Sequence, residues 1–198
     1  MSTRTVVAAL AAALLPQVAA AQATPVGATA PVSTAFREST RDFAKNLTAA
    51  AEAMPAEKYG FKPTPAQMSF GDIVVHLSQG NDYLCGAIGG KPAPQRAKVA
   101  LTDGKDALVA RLKETFAFCA DALAALDDAK LAEGIPFFGG RTMTRAAIMN
   151  LTTGDYADHY SQVAIYLRLN GQLPPTATSR IWDPNIGRSA WACGVRRG

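Results

Sequence analysis

Apolar residues recur in this chain at intervals of three, four and seven, and this helical period limits the possible folds more than any other feature of the sequence. In an early segment the recurring residues are Phe36, Phe43, Leu47, Ala50 and Met54. In a later segment they are Leu108, Leu112, Phe116, Cys119, Leu123 and Leu126. Because the chain is also alanine-rich and has few alternating β-branched runs, we expect an all-α fold.

Capping residues and helix breakers give approximate bounds for four helices. The first begins near Thr34 and stops before Pro55. Ser69 and Asp72 have the spacing of a capping box, so the second helix should cover about 70–87, and glycines and prolines follow it. The third should cover about 105–126, and the fourth should run from a Thr142 or Thr144 cap to Leu169. Such helices with long links predict an antiparallel four-helix bundle over residues 34–175.

Between the third and fourth helices lies an apolar run that proline and glycine interrupt, Ile135-Pro136-Phe137-Phe138-Gly139-Gly140. We expect a loop or a short extended crossing here. It either covers the candidate site at the end of the bundle or packs beneath the link between the helices. The latter is the commoner arrangement.

The first 21 residues have the layout of a signal peptide. Arg4 precedes an apolar run over 6–18, and small residues lead to a cleavage site before Gln22. The run is too short for a membrane span and contains Pro16, and no later segment is long and apolar enough to span. We therefore expect an exported protein, periplasmic or extracellular, with a flexible leader over 22–33 and an irregular tail over 176–198.

The net charge and the cysteine spacing argue against two classes of protein, those that bind nucleic acids and zinc ribbons. Removal of Arg4 with the signal peptide lowers the net charge from +4 to +3, which is too weak for a nucleic-acid surface. The three cysteines, Cys85, Cys119 and Cys193, are too widely spaced for a zinc ribbon, and their odd number leaves at least one thiol unpaired. Cys119 lies on a core stripe, where we expect it to act as a small hydrophobic residue.

The only two histidines, His76 and His159, each lie in the middle of a predicted helix, on a stripe that otherwise has core character. Helical geometry places Asp155 on the same face as His159, one turn earlier. That predicted face contains Ile148, Leu151, Asp155, His159, Gln162, Tyr166 and Leu169. An unpaired polar group in a helix-packed core costs roughly 2–7 kcal/mol, so these side chains need a partner.

A divalent cation would satisfy His76, Asp155 and His159 together if the two helix faces meet. Two imidazoles and one carboxylate suit zinc, iron, nickel or manganese and leave open positions for water or a substrate. The spacing alone leaves a second interpretation open, in which each histidine is a hydrogen-bonded core residue. The pattern assigns no catalytic residue.

Three further residues lie close to the predicted ligands, and each has two interpretations. Tyr83 shares a helix face with His76 and either lines the pocket or is a core tyrosine with its hydroxyl at the rim. Gln162 either orients a bound water or bonds a neighbouring helix. Asp72 either accepts a hydrogen bond from an imidazole or only caps its helix, which is the commoner role at a helix start.

Two segments resemble the DinB family, particularly its exported members. The first is Phe70-Gly71-Asp72-Ile73-Val74-Val75-His76-Leu77 with Asn81-Asp82-Tyr83-Leu84-Cys85. The second, with more specific spacing, is His159-Tyr160-Ser161-Gln162-Val163-Ala164-Ile165-Tyr166-Leu167-Arg168-Leu169-Asn170-Gly171 with Pro174-Pro175. The resemblance covers about 34–175.

The resemblance implies a four-helix bundle that binds one divalent metal through three histidines. Its ligand positions correspond to His76, Asp155 and His159, so an aspartate stands where the family pattern has histidine. The resemblance to thiol-dependent transferases and isomerases implies a metal-dependent thiol transferase acting on a small-molecule substrate. Because cytosolic thiols are scarce outside the membrane, the expected export leaves a metal-dependent hydrolase or a purely metal-binding role equally open. A second hypothesis is a non-catalytic bundle that binds a ligand or partner and carries a degenerate metal site. We also expect a homodimer, because bundles expose apolar helix faces.

Overall fold

The computed structural model describes residues 30–178, which form a mostly helical fold. The helices are α1 (Pro31–Ala53), α2 (Phe70–Gly89), α3 (Gly104–Leu123), α4 (Arg145–Leu169) and the short α5 (Pro175–Thr178). The strands are β1 (Gly134–Phe137) and β2 (Arg141–Thr144). The predicted signal peptide over 1–21 and most of the predicted tail, with Trp182, Trp191 and Cys193, lie outside the described residues.

Helix α1 begins at Pro31, three residues before the start predicted at Thr34. Proline is favoured in the first turn because its ring fixes a helical φ and it has no amide to satisfy. The next two amides, those of Val32 and Ser33, donate to the two carboxylate oxygens of Asp128 at 3.0 and 2.7 Å. The capping side chain is thus about 95 residues away in sequence, and the local pattern does not reveal it.

Helix α2 begins with the predicted capping box. The Ser69 hydroxyl accepts from the Asp72 amide at 3.1 Å, and the Asp72 carboxylate accepts from the Ser69 amide at 3.3 Å. The helix continues to Gly89, two residues beyond the predicted end, and Gly90 ends it with φ of 69°. Helix α4 begins after Thr144, whose hydroxyl accepts from the Ala147 amide at 3.3 Å, and it ends at the predicted Leu169.

Helices α1 and α2 each pack against both α3 and α4. The α3 stripe is buried as predicted, but the buried stripe of α4 is rotated relative to the predicted one. Leu151 and Leu169 were expected in the core, yet they are 46% and 59% exposed, whereas Thr152, Tyr156 and Val163 are buried. Polar residues interrupt the apolar period of α4. The spacing of its apolar residues therefore does not predict which face of the helix is buried.

A disulfide between Cys85 and Cys119 joins α2 to α3, with Cα atoms 5.0 Å apart. The interpretation of Cys119 as a small hydrophobic residue is therefore wrong. The helices approach closely near this bond: a Cβ added at Gly89 would collide with the backbone carbonyl of Ala122. Glycine at this position allows the two backbones to come together.

The apolar run before α4 forms an antiparallel hairpin, with Ile135 opposite Met143 and Phe137 opposite Arg141. The expected all-α fold therefore carries a small two-stranded element. Gly139 and Gly140 adopt φ of 68° and 73°, which glycine reaches without steric cost and which allows the tight reversal. The ring of Phe138 stacks on Tyr83 with centroids 4.0 Å apart, so the hairpin packs against the C-terminal half of α2.

Within residues 30–178, none of the helices combines the length and apolar character needed to cross a membrane. The predicted tail begins with ordered structure. The hydroxyl of Tyr160 donates to the hydroxyl of Thr176 at 2.9 Å and accepts from the Thr176 amide at 3.1 Å. These bonds attach α5 to the C-terminal half of α4.

Candidate metal centre

The structure brings His76, Asp155 and His159 together where α2 faces α4. The Nε2 atom of His159 lies 3.3 Å from Oδ1 of Asp155, and the Nε2 atom of His76 lies 3.7 Å from the same oxygen. One potential ligand atom from each residue lies within 4.8 Å of the other two. The two imidazole rings meet edge to face, with centroids 4.7 Å apart.

These separations fit a single small cation. Ligand atoms about 2.1 Å from a tetrahedral zinc-like ion lie about 3.4 Å from one another. The two distances to Asp155, 3.3 and 3.7 Å, are close to that value, and all three ligand atoms lie within 4.8 Å of one another, so a small adjustment of the imidazoles would bring them to one ion. Two imidazole nitrogens and one carboxylate oxygen also form a donor set that divalent transition metals accept. The residues present therefore fit the metal that the sequence predicts.

Asp155 is the electrostatic centre of the group. Burial opposes ionisation of its carboxyl, but hydrogen bonds from His159 and His76 and the charges of both imidazoles outweigh burial and hold its pKa well below the usual range. For His159, burial opposes the protonated form, but the Asp155 carboxylate raises the pKa of the imidazole, with smaller contributions from Asp158 and Gln162. Without a metal, the group is therefore a carboxylate paired with a readily protonated imidazole.

The two histidines differ in their access to solvent. The side chain of His76 is 48% exposed, whereas that of His159 is 9% exposed and that of Asp155 is 34% exposed. The expectation that both imidazoles face the core is therefore wrong for His76, because the buried face of α2 passes through Ile73 and Leu77 instead. The group is open to water and to small molecules on the His76 side.

The second ring nitrogen of His159 has no hydrogen-bond partner among the residues that the structure describes. Its Nδ1 atom is buried and makes no hydrogen bond to any residue within 30–178. Metal-binding histidines usually donate this N–H to a carbonyl or carboxylate, which fixes the ring. In the described part of this chain, the orientation of the His159 ring rests on packing and on its contact with Asp155.

The three residues predicted near the ligands lie in different places. The Asp72 carboxylate accepts from the Ser69 hydroxyl at 2.6 Å as well as from the Ser69 amide, so it serves the start of α2. Tyr83 packs on Phe138, two turns of helix beyond His76. Only Gln162 lies beside the group, close enough to His159 to contribute to its raised pKa.

Asp158 is a neighbour that the sequence pattern did not indicate. Its carboxylate accepts a hydrogen bond from the Gln162 amide at 2.7 Å, and its charge raises the pKa of His159. Asp158 adjoins His159 in sequence but lies off the predicted ligand stripe, so helical spacing gave no reason to select it.

Comparison with known proteins identifies the family. The sequence model of the DinB superfamily matches residues 39–163, a range that contains His76, Asp155 and His159. The chain belongs to the DinB superfamily. No curated protein matches it.

Solved structures of DinB-like proteins have a similar fold. One from Bacillus cereus is 15% identical, with a TM-score of 0.61, and the match covers 72% of this chain and 95% of that one. One from Bacillus subtilis is 18% identical, with a TM-score of 0.58, covering 71% and 96% respectively. A mycothiol-dependent maleylpyruvate isomerase is 12% identical, with a TM-score of 0.52, covering 66% of this chain and 60% of that one. At these identities the likeness concerns the fold alone.

Proposed function

We propose that this DinB-superfamily protein binds one divalent metal ion through His76, Asp155 and His159, and that it is a metal-dependent enzyme for a small-molecule substrate. The observation that supports this most directly is the pair of distances from Asp155 Oδ1 to the imidazoles, 3.3 and 3.7 Å, which suit one shared ion. Zinc, iron, nickel and manganese all accept this donor set.

When bound, a divalent ion lowers the pKa of a water or thiol that it holds, which generates a nucleophile near neutral pH. The side chains of Asp155 and His159 suit the binding of such an ion. Asp155 is held ionised, which favours cation binding. His159 must release its proton before Nε2 can act as a ligand, so metal binding is coupled to proton release. The exposed side of His76 leaves room for a substrate to approach.

The proposed chemistry is hydrolysis or thiol transfer. The isomerase with a similar fold is mycothiol-dependent, which supports a thiol as the nucleophile. Export supports water instead, because low-molecular-weight thiols of the cytosol are scarce outside the membrane. We propose export on the basis of the signal-peptide pattern over 1–21. The Cys85–Cys119 disulfide supports it, because disulfides persist mainly in oxidising compartments.

A second candidate function is a non-catalytic binding module with a degenerate metal site. Its support is the ion pair itself: Asp155 already has two imidazole partners, so the carboxylate is satisfied without a metal. Asp155 also replaces the histidine that the family pattern has at this position, which is consistent with loss of the original site.

Metal analysis of the purified protein distinguishes these candidates. After equilibration with each of the four metals in turn and removal of unbound ion, the parent should retain about one ion per chain. Occupancy should fall sharply in His76→Ala and His159→Ala. Gln79→Ala, at an exposed position on α2, serves as the matched control and should retain the metal. Absence of bound metal in the parent, or unchanged occupancy in both histidine variants, would contradict the metal site.

Activity requires a separate assay. The metal-loaded protein should act on simple esters and amides or on thiol acceptors, and the activity should disappear in His159→Ala. A metal-loaded protein without activity over a broad panel would instead support the binding module.

The finer architecture and assembly are also proposals. We propose that α1–α4 form an antiparallel four-helix bundle, supported by the packing of both α1 and α2 against α3 and α4. We further propose a homodimer, supported by the large apolar side chains that α4 exposes, including Leu151, Ile165 and Leu169.

A further inference from the structure

A cavity of about 230 Å³ lies between α1 and α3, on helices other than those that carry the candidate metal ligands. Its lining residues are Arg37, Thr40, Arg41 and Ala44 from α1, with Phe116, Ala120 and Leu123 from α3. Alanine contributes from both helices, and its short side chain leaves space that a larger residue would fill. The volume is below the roughly 300–1,000 Å³ typical of drug-sized ligands, so the cavity suits a smaller molecule.

The lining is apolar at depth. Phe116 and Leu123 are 6% and 1% exposed and belong to the buried core, and half-buried Ala44 adds a methyl group, whereas Ala120 is exposed. A ligand that enters between the helices therefore meets aliphatic and aromatic carbon. This part of the cavity favours a short hydrocarbon chain or a small ring.

The polar part of the lining is cationic. Arg37 and Arg41 are one helical turn apart on α1, and none of the described residues that line the cavity is acidic. Arg37 is held in place because it donates to the Leu126 carbonyl at 2.6 Å and to the Thr34 hydroxyl at 3.0 Å. The guanidinium of Arg41 is exposed and makes neither an ion pair nor a hydrogen bond within residues 30–178. It is therefore available to an anion.

Thr40 adds an unsatisfied polar group to the wall between the two arginines. Its side chain is 5% exposed, and its hydroxyl oxygen has no hydrogen-bond partner in the described part of the chain. Buried hydroxyl groups are normally paired. Because the Thr40 oxygen is inaccessible to a water-sized molecule, it would pair with an acceptor in the cavity only after the side chain turns toward it.

We propose that this cavity binds a small monocarboxylate with a short apolar tail. The tail lies against Phe116 and Leu123, and the carboxylate pairs with Arg41, because guanidinium and carboxylate form charge-assisted hydrogen bonds of matching geometry. The proposal is independent of the metal centre, since none of the lining residues is among His76, Asp155 and His159.

Hexanoate and its neutral counterpart hexanamide test the proposal. The titration uses full-length metal-free protein in chelator, which prevents the carboxylate from binding a metal. Amide chemical shifts provide the readout. We expect saturable shifts for residues around Thr40 and Phe116 with hexanoate, and binding of hexanamide that is roughly ten-fold weaker or absent, as expected when a charge-assisted bond is lost.

Two variants test separately how the guanidinium charge and the cavity volume contribute to binding. Arg41→Gln removes the free guanidinium, and Ala120→Leu fills the cavity from α3; both should weaken hexanoate binding by about ten-fold or more. The matched controls are Lys45→Gln on α1 and Ala117→Leu on α3, both at exposed positions outside the lining, and they should bind as the parent does. The proposal is overturned if hexanoate does not bind, if hexanamide binds equally well, or if neither Arg41→Gln nor Ala120→Leu changes the affinity of folded protein.

Discussion

The Nε2 atom of His159 lies 3.3 Å from Oδ1 of Asp155, one turn earlier on the same helix. Because of this contact, the metal-free protein should lose stability both when the pH rises and when it falls. Burial works against both charges, but the contact outweighs it, so the pKa of His159 is raised and the pKa of Asp155 is lowered. Protonated His159 and ionised Asp155 therefore stabilise one another.

The first prediction concerns pH and stability without metal. The His159 contribution is fully present below the unfolded pKa of about 6.5 and is lost as pH rises through the higher folded pKa. The Asp155 contribution is present above its unfolded pKa of about 3.9 and is lost as pH falls through the lower folded pKa.

Urea unfolding in chelator should show that Asp155→Asn destabilises the protein more at pH 5.5 than at pH 9. Asp42→Asn, an exposed substitution on α1, is the control. An equal effect of Asp155→Asn at both pH values would contradict the prediction.

The second prediction concerns Asp155, the proposed ligand that stands where the family resemblance implies histidine. Asp155→His gives the three-histidine set that the resemblance implies, so we expect it to retain zinc or nickel. Asp155→Asn removes the charge and should weaken metal binding by roughly ten-fold or more, since losing even an outer partner of a ligand costs 10–100-fold. Competition with a chelator of known affinity measures both variants. Equal affinity of the parent and Asp155→Asn would show that Asp155 is not a ligand.

The third prediction compares two buried threonines. The hydroxyl of Thr40 has no partner within residues 30–178, whereas that of Thr152 donates to the Ile148 carbonyl at 2.8 Å. Thr40→Val should raise the free energy of unfolding by about 1 kcal/mol, and Thr152→Val should lower it by about 1 kcal/mol, because only the second loses a hydrogen bond. Urea unfolding of both variants measures the difference. The same sign for both would mean that the Thr40 hydroxyl is satisfied in solution.

The fourth prediction concerns the bond between α2 and α3. Cys85 and Cys119 are separated by 34 residues, and opening a loop of this size costs about 4 kcal/mol in the chain-entropy description. Reduction should therefore lower the unfolding temperature markedly. The control is the Cys85→Ala, Cys119→Ala double variant, which reductant should leave unchanged. Denatured, unreduced protein should carry one free thiol out of the three cysteines in the sequence. Three free thiols in protein from an oxidising compartment would contradict the disulfide.

Local features of the fold were predictable from the sequence because they depend on residues close together in the chain. The capping box of Ser69 and Asp72 and the Thr144 cap involve contacts over three residues, and both are present. The convergence of His76 with Asp155 and His159 depends on α2 facing α4, and it was expected because the resemblance to the DinB family implies that arrangement. Its use as a metal site stays a prediction.

Other features that depend on how the helices face one another were not predicted from the sequence. Pairing of Cys85 with Cys119 requires the relative position of α2 and α3, which spacing within either helix does not contain. The exposure of His76 and of Leu151 depends on the rotation of their helices, and a few tens of degrees change a core position into a surface one. The sequence pattern indicates the helical period more reliably than the rotation of each helix about its own axis.

The bonds from Val32 and Ser33 to Asp128 indicate where a recombinant fragment should begin. A recombinant fragment that starts at residue 39, where the family match begins, would lack both amides and the buried ring of Phe36. Its Asp128 would have lost the two donors it receives from α1, and part of the core would face water. A fragment that starts at or before Ala30 keeps the first turn of α1 attached to the segment after α3.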